Sequence, residues 1–279
     1  MTHRCDALLV GAGIMGATLA SLLRQLDPGL EVVVLERLTS LAEESSGPMN
    51  NAGTGHAANC ELNYTPMAAD GSVPIGKALA INAAFELSLQ FWSSLVERGQ
   101  LLDPASFIRP VPHLSFVWGE ANVAFLRRRH AALQATAQFA EMQWSTEAAQ
   151  LEEWMPLVMA GRRRDQPMAA TRVCRGTDVN FGALTRALLQ GAQVRLGQQV
   201  VALERQAGAA GWRLQARGTD GAIEHYEAPV VFLGAGGGSL PLLQRSGIPE
   251  ARSYGAFPVS GQWLVCRNPE VIAAHNAKV

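Results

Sequence analysis

The sequence carries little charge. Acidic and basic residues make up 17% of its 279 positions and nearly cancel, leaving a formal net charge of −1. A balance of that kind lacks the electrostatic footprint of a nucleic-acid binder or of a chain drawn as a whole to an anionic membrane. Cysteine is scarce as well. Cys5, Cys60, Cys174 and Cys266 are widely spaced and include no Cys-x-x-Cys pair, so neither a zinc site nor a redox dithiol is indicated, and free thiols in a reducing cytoplasm fit best. Internal repeats and low-complexity segments are absent. Residues 7 to 23 are uncharged and mostly apolar, but the run is short for a membrane span and is interrupted by Gly11, Gly13 and Gly16. It is expected to be neither a span nor a cleaved signal.

A hydrophobic content of 48% suffices for a substantial core, and the length accommodates one large domain or two smaller ones. Two local basic clusters, Arg127-Arg128-Arg129-His130 and Arg162-Arg163-Arg164, read as a solvated helix face or loop. A contact with lipid head groups is the sharper alternative.

The glycine fingerprint Gly11-Ala12-Gly13-Ile14-Met15-Gly16 follows a short apolar run, Ala7 to Val10, and opens a helical pattern over 14–26. A second apolar strand, 31–35, ends at Glu36. This is the strand–helix–strand context that a dinucleotide fingerprint requires. Gly11 permits the tight turn, Gly13 lets a pyrophosphate approach the backbone, and Gly16 lets the helix pack on the strand. The helix N-terminus presents amide groups and a partial positive charge. Glu36 is suited to the adenosine ribose hydroxyls, and its charge disfavours the 2′-phosphate of NADP.

Further along, residues 39–66 form a polar, glycine-bearing stretch of the kind that is usually functional. A helix is expected over 76–98, with Ile81, Phe85, Leu89, Trp92 and Val96 on its core face. Strands are expected over 111–118, 194–205 and 212–217, helices over 120–139 and 181–190, and a glycine-rich turn at Gly208 to Gly211. Val230 to Leu233 read as a buried strand running into Gly234-Ala235-Gly236-Gly237-Gly238-Ser239 and a helix over 240–245. A second strand–glycine–helix unit so far from the first is foreign to simple NAD dehydrogenases and expected in two-part FAD folds. An ordinary strand–helix turn is the alternative.

Several motifs resemble one family. Glu43-Glu44-Ser45-Ser46, then Asn50-Asn51-Ala52-Gly53-Thr54-Gly55-His56, then Glu61-Leu62-Asn63-Tyr64-Thr65-Pro66 resemble malate:quinone oxidoreductase. So do Pro112 to Gly119, Gly176-Thr177-Asp178-Val179-Asn180 and Gly247-Ile248-Pro249-Glu250-Ala251. The resemblance runs in order along nearly the whole chain. It departs at Gly47 and Met49, where the family commonly has Asn and Trp. The family's chains also continue well past Val279, so this sequence reads as an N-terminal portion.

The resemblance implies an α/β fold: a Rossmann-like, glutathione-reductase-type FAD-binding domain with a parallel sheet, interleaved with an α+β substrate domain and truncated at its C-terminal end. The FAD-binding parts are expected at 1–75 and 176–260, a helical and substrate-domain segment at 76–175, and the start of a substrate-domain return at 261–279. It implies oxidation of (S)-malate to oxaloacetate with electrons passed to a membrane quinone, in an enzyme peripheral to the cytoplasmic face of the membrane. No metal and no nucleic acid enter this picture. Another FAD-dependent 2-hydroxy-acid or amino-acid dehydrogenase or oxidase, or a non-catalytic fragment, is the alternative.

Such a reaction needs carboxylate clamps, a base for the hydroxyl proton, and a hydride acceptor. His56 is the first candidate base, since a histidine titrates near working pH; it alternatively hydrogen-bonds the flavin or backbone. His113 is the second, or a structural residue. Arg109 is a candidate carboxylate clamp, or a surface ion-pair partner. Tyr64 and Thr65 line the substrate pocket or form the turn before Pro66. For the cofactor, Gly11, Gly13 and Gly16 take the pyrophosphate and Glu36 the ribose. Arg37, Ser45 and Ser46 reach phosphate or adenosine atoms, and Asn51, Ala52 and Gly53 run beside the flavin. Val200 meets the adenine through its backbone, and Gly234 and Gly236 belong to the second glycine turn.

Overall fold

Apolar runs of four residues at Ala7–Val10 and Val32–Leu35 are buried at every position, as strands of a parallel sheet covered on both faces must be. In the computed structural model, which describes residues 2–206, 211–257, 259, 261–262, 264–275 and 277–279, these strands lie at the centre of a parallel sheet. Its order is Val230–Leu233, Ala7–Val10, Val32–Leu35, Gln193–Arg195. Helix Ile14–Leu26 links the central pair and packs against helix Phe181–Leu188. A second sheet is an antiparallel meander of Gln199–Arg205, Trp212–Arg217 and Ile223–Ala228, with Thr2–Arg4 added in parallel at its edge. Leu8, Val10, Val33 and Leu35 interleave with Val200, Leu203, Leu214 and Tyr226 to form the core shared by the two sheets.

These elements belong to a first unit made of Met1–Gly53, Gln100–Phe107 and Asn180–Ser260. A second unit, made of Thr54–Gly99, Ile108–Val179 and Gly261–Val279, is α+β. Its antiparallel sheet orders His113–Trp118, Met168–Val173, Gln143–Ser145, and a short pair joins Ile108–Pro110 to Thr177–Val179. Helices Gly76–Glu97, Glu120–Gln134, Ala148–Trp154 and Pro156–Met159 surround them. Residues 54–75 and 176–179, expected with the nucleotide part, fall in the second unit, and residues 100–107, expected in the substrate part, fall in the first.

Other expectations shift for physical reasons. The strand expected over 194–205 is two strands in different sheets, because Gly197 at φ +68° turns the chain between them. The strand expected over 111–118 starts at His113, the preceding Ile108–Pro110 pairing elsewhere. The helix over 120–139 ends at Gln134. Helix Gly76–Glu97 keeps the expected core face: Trp92 is buried and Ile81, Phe85, Leu89 and Val96 are partly covered, with Ala78, Asn82 and Leu95 buried alongside them. The turn expected at Gly208 to Gly211 lies outside the described residues apart from Gly211. Among the described residues no helix is long and apolar enough to cross a membrane.

The largest correction concerns Arg129: Arg127 and Arg128 are exposed, as expected of a solvated face, but the third arginine of the run is not. Arg129 is fully buried. Its Nε donates to Thr65 Oγ1 at 2.9 Å, one terminal nitrogen donates to the Ala58 carbonyl at 3.1 Å, and the other lies 3.5 Å from Ser115 Oγ. Burial pulls its pKa down to about 10, which still leaves it charged at neutral pH. Arg127 lies over the Trp144 ring, and His130 Nε2 bonds the Met142 carbonyl at 2.9 Å. The other cluster divides similarly: Arg162 covers the rings of Phe116 and Trp118, and Arg163 and Arg164 pair with Asp165 and Glu152.

Two stability predictions follow from this packing. A Cβ on Gly16 would stand 2.1 Å from the Gly11 carbonyl oxygen, whereas one on Gly76 meets nothing within 4 Å. Gly16→Ala is expected to cost about 2 kcal/mol or more and Gly76→Ala nothing, compared by urea midpoints. Arg129→Leu strands the buried Ala58 carbonyl and removes the donor to Thr65, and is expected to cost roughly 3 kcal/mol by the same measurement.

Candidate functional site

In the first unit the two glycine turns meet. Gly11, at φ +105°, could carry no side chain: a Cβ there would lie 2.5 Å from the Gly234 carbonyl oxygen. The Gly234 amide in turn donates to the Val10 carbonyl at 2.8 Å. Beside this contact lies a cleft of about 480 Å³. Gly11, Gly13, Glu36, Arg37, Ser45, Ser46, Val200, Gly234 and Gly236 all line it. Gly16 does not; it holds the helix against the Gly11 turn.

The cleft's chemistry suits a dinucleotide. Gly13 offers a cradle that a Cβ would fill, 3.2 Å from Ser46 Oγ. Ser46 Oγ accepts from the Ile14 amide at 2.9 Å, fixing the loop over the start of helix Ile14–Leu26, where backbone amides favour phosphate. Glu36 is buried at the far end. Its Oε2 accepts from the Ala12 amide and its Oε1 from the Leu38 amide, each at 2.9 Å. These bonds hold the carboxylate rigid and leave each oxygen a further lone pair for a ribose hydroxyl. Arg37 pairs with Glu44, and Ser45 is exposed. Residues that the fingerprint did not reveal, Gln199, Phe232 and Arg245, also line the cleft.

Asn51, Ala52 and Gly53 stand outside that cleft. Asn51 donates from Nδ2 to the Ser45 and Gly47 carbonyls, at 3.0 and 2.9 Å, and accepts from the Gly53 amide at 2.8 Å. Gly53 has φ +59°. The trio ties its loop together. Gly47 is buried tightly among the loop's own backbone, while Met49 is exposed.

In the second unit, residues 54–66 form a loop whose backbone is gripped from behind. Thr54 bridges to Asp178, and Gly55 is wedged so closely that a Cβ would lie 2.0 Å from Thr177 Oγ1 and 2.5 Å from the Phe85 ring. Asn82 donates to the Ala57 carbonyl at 3.0 Å, Arg129 to that of Ala58, and Ser115 to that of Cys60 at 2.9 Å. Ala58 sits at φ +58°, a left-handed conformation that these bonds hold in place. His56 emerges from this platform with its side chain 56% exposed, and its Nδ1 lies 3.0 Å from Glu61 Oε1. The hydrogen bond to Glu61 raises the His56 pKa above its ordinary value.

The other expected residues separate. Tyr64 stands beside His56, its hydroxyl 3.4 Å from Nδ1. Thr65 does not line a pocket: it is fully buried, with its hydroxyl between Arg129 and the Leu62 carbonyl. His113 is fully buried too, its Nε2 2.9 Å from the Thr177 carbonyl oxygen and 3.2 Å from the Thr177 amide. Its pKa is lowered, chiefly by desolvation. A sealed ring of this kind is a structural residue and not a second base. Arg109 is exposed on the strand Ile108–Pro110, in register with Asp178.

A family model described as malate:quinone oxidoreductase (Mqo) matches residues 3–279. A curated relative from Synechococcus sp., named a probable malate:quinone oxidoreductase, is 59% identical over 285 residues, covering 100% of this chain and 58% of its own length. The chain spans little more than half the length of the curated relatives it matches. Among solved structures, L-proline dehydrogenase from P. horikoshii superposes with a TM-score of 0.60 at 16% identity, over 89% of this chain and 57% of that one. Dithionite-reduced L-alpha-glycerophosphate oxidase from Mycoplasma pneumoniae with FAD bound gives 0.54 at 14% identity, over 82% and 53%. Identities this low show a common fold alone. The family match over nearly every residue, together with a relative sharing more than half of its positions, establishes that this chain belongs to the malate:quinone oxidoreductase family.

Proposed function

We propose that this chain holds FAD and handles the substrate proton in the oxidation of (S)-malate to oxaloacetate, with the electrons passing to a membrane quinone at the cytoplasmic face. The observation that carries this reading is the match to the malate:quinone oxidoreductase family over residues 3–279. The glycine-walled cleft supports the cofactor assignment, as does the fold shared with an oxidase whose structure contains FAD.

Gly11 and Gly13 admit the pyrophosphate, and the start of helix Ile14–Leu26 stabilises its charge. Glu36 holds the ribose hydroxyls, and Val200 meets the adenine edge. Bound FAD supplies the two-electron acceptor for the C2 hydride of malate. His56 takes the hydroxyl proton at Nε2, so that the O–H bond breaks as the carbonyl forms. Arg109 pairs with a substrate carboxylate through its planar fork, and Tyr64 stands beside His56.

Two measurements test this. In an anaerobic titration of the FAD-loaded chain, L-malate is expected to bleach the visible flavin absorbance while 2-hydroxyglutarate does not, and His56→Ala is expected to abolish the bleaching and keep the flavin bound. Bound flavin that L-malate leaves oxidised would refute the malate reading. Separately, Glu36→Ala is expected to weaken FAD binding about tenfold or more, or ~1.4 kcal/mol, in a flavin-fluorescence titration. Unchanged affinity would remove Glu36 from the cofactor site.

A further inference from the structure

The loop that presents His56 also contains a carboxylate with no part in the reading above. Glu61 Oε1 lies 3.0 Å from His56 Nδ1, and Oε2 accepts from the Cys60 amide at 3.3 Å. The Glu61 side chain is 16% exposed against 56% for His56, so the carboxylate lies inside and the imidazole outside. An ionised carboxylate only accepts hydrogen bonds. Nδ1 must then carry the ring proton, and Nε2 is left as the nitrogen with a free lone pair.

The carboxylate is itself held still. The Cys60 carbonyl is bonded by Ser115 and the Ala58 carbonyl by Arg129, which anchors the backbone on the N-terminal side of Glu61. The short helical turn Leu62–Tyr64 follows immediately. This is base plus orienting acid, the second and third members of a triad-like relay.

We propose that Glu61 is the positioning residue for His56: it fixes the tautomer with Nε2 unprotonated and stabilises the imidazolium formed when Nε2 takes the malate hydroxyl proton. The proposal rests on the reading of His56 as the base. The proton passes from the substrate oxygen to Nε2, and FAD held in the cleft would supply the acceptor for the C2 hydride. Glu61 gains no proton in the step.

The groups facing the pair agree with this role. The hydrogen bond to Glu61 raises the His56 pKa, and burial and Lys278 oppose it. Lys278 is ion-paired to Asp178 at 2.6 Å. Tyr64 lies beside Nδ1, with Lys77 over its ring. The Cys60 thiol is pushed up to about 12 and stays neutral at working pH. Glu61 lies below its ordinary value and so remains ionised wherever His56 titrates.

The test uses the FAD-loaded chain, Glu61→Gln and Glu61→Asp, with two readouts: the NMR pH titration of the His56 ring and the rate of flavin reduction by L-malate across pH. Removing the negative charge lowers the His56 pKa, so in Glu61→Gln the ring is expected to titrate at lower pH than in the parent. The acid limb of the reduction rate should move to lower pH with it, and the plateau rate should fall roughly 10- to 100-fold. Glu61→Asp should return both midpoints toward the parent. A merely structural loss would lower the rate and leave the midpoints in place. An unmoved His56 titration in Glu61→Gln overturns the proposal whatever malate does. A moved titration with an unmoved acid limb overturns it as well. Failure of L-malate to reduce the parent's flavin refutes the reaction reading instead, and the ring titration still decides whether Glu61 governs His56.

Discussion

Three stretches of backbone in the first unit approach one another more closely than any side chain permits. Gly11 meets the Gly234 carbonyl, and Gly16 meets the Gly11 carbonyl. The parallel sheet, its crossover helix and the second glycine turn are thereby drawn to one point, and the nucleotide cleft exists because of it. Its wall is backbone where a wall of side chains would have filled the space. Side chains complete it: Phe232 and Arg245 line the cleft, Ser46 reaches the Ile14 amide, and the buried Glu36 spans two amides. The polar groups of this cleft are thus oriented before any cofactor arrives, which reduces the ordering that binding must impose.

The second unit solves a different problem. A loop of thirteen residues, 54–66, has little regular structure of its own, and a buried backbone without partners is unfavourable. Side chains from a helix, a strand and a second helix supply those partners through Asn82, Ser115 and Arg129. The result is a rigid mount from which His56 projects, with Glu61 and Tyr64 beside it.

How much of this could be read from the sequence depended on whether burial left a mark on residue type. Ala7–Val10 and Ile14–Leu26 were legible because fully covered strands and amphipathic helices are written in apolar residues, and Trp212–Arg217 through its alternation; Val230–Leu233 was legible as a strand, but it is only half-buried, with Val230 exposed, and not the buried strand expected. Ile223–Ala228 and Met168–Val173 were not. The first carries Glu224, His225 and Glu227 on a half-covered sheet, which breaks the apolar signal, and the second has the small Ala169 and Ala170 where branched or aromatic residues would announce a strand. Arg129 was misread because charge argues for solvent, and only three neutral acceptors distant in sequence reverse that argument. The glycine fingerprint, Glu36 and the Gly-Thr-Gly-His run are local patterns, so the sequence displays them directly. Whether a given ring or hydroxyl is covered is not a local property, so the sequence left His113 and Thr65 open between site and structural roles, and only their burial decides for the second. Glu61 escaped notice because its meaning lies in a turn that returns it to His56, and nothing in its neighbours announces that return.

The burial of Arg129 has a kinetic consequence. Its bonds reach back 71 residues to Ala58 and 64 to Thr65, so the guanidinium leaves water only when the helix bearing it and the distant loop arrive together. A half-assembled mount would enclose a cation with its acceptors missing, a state high in free energy. Intermediate arrangements of the loop are therefore sparsely populated. The segment is expected to open as a single cooperative unit and not residue by residue.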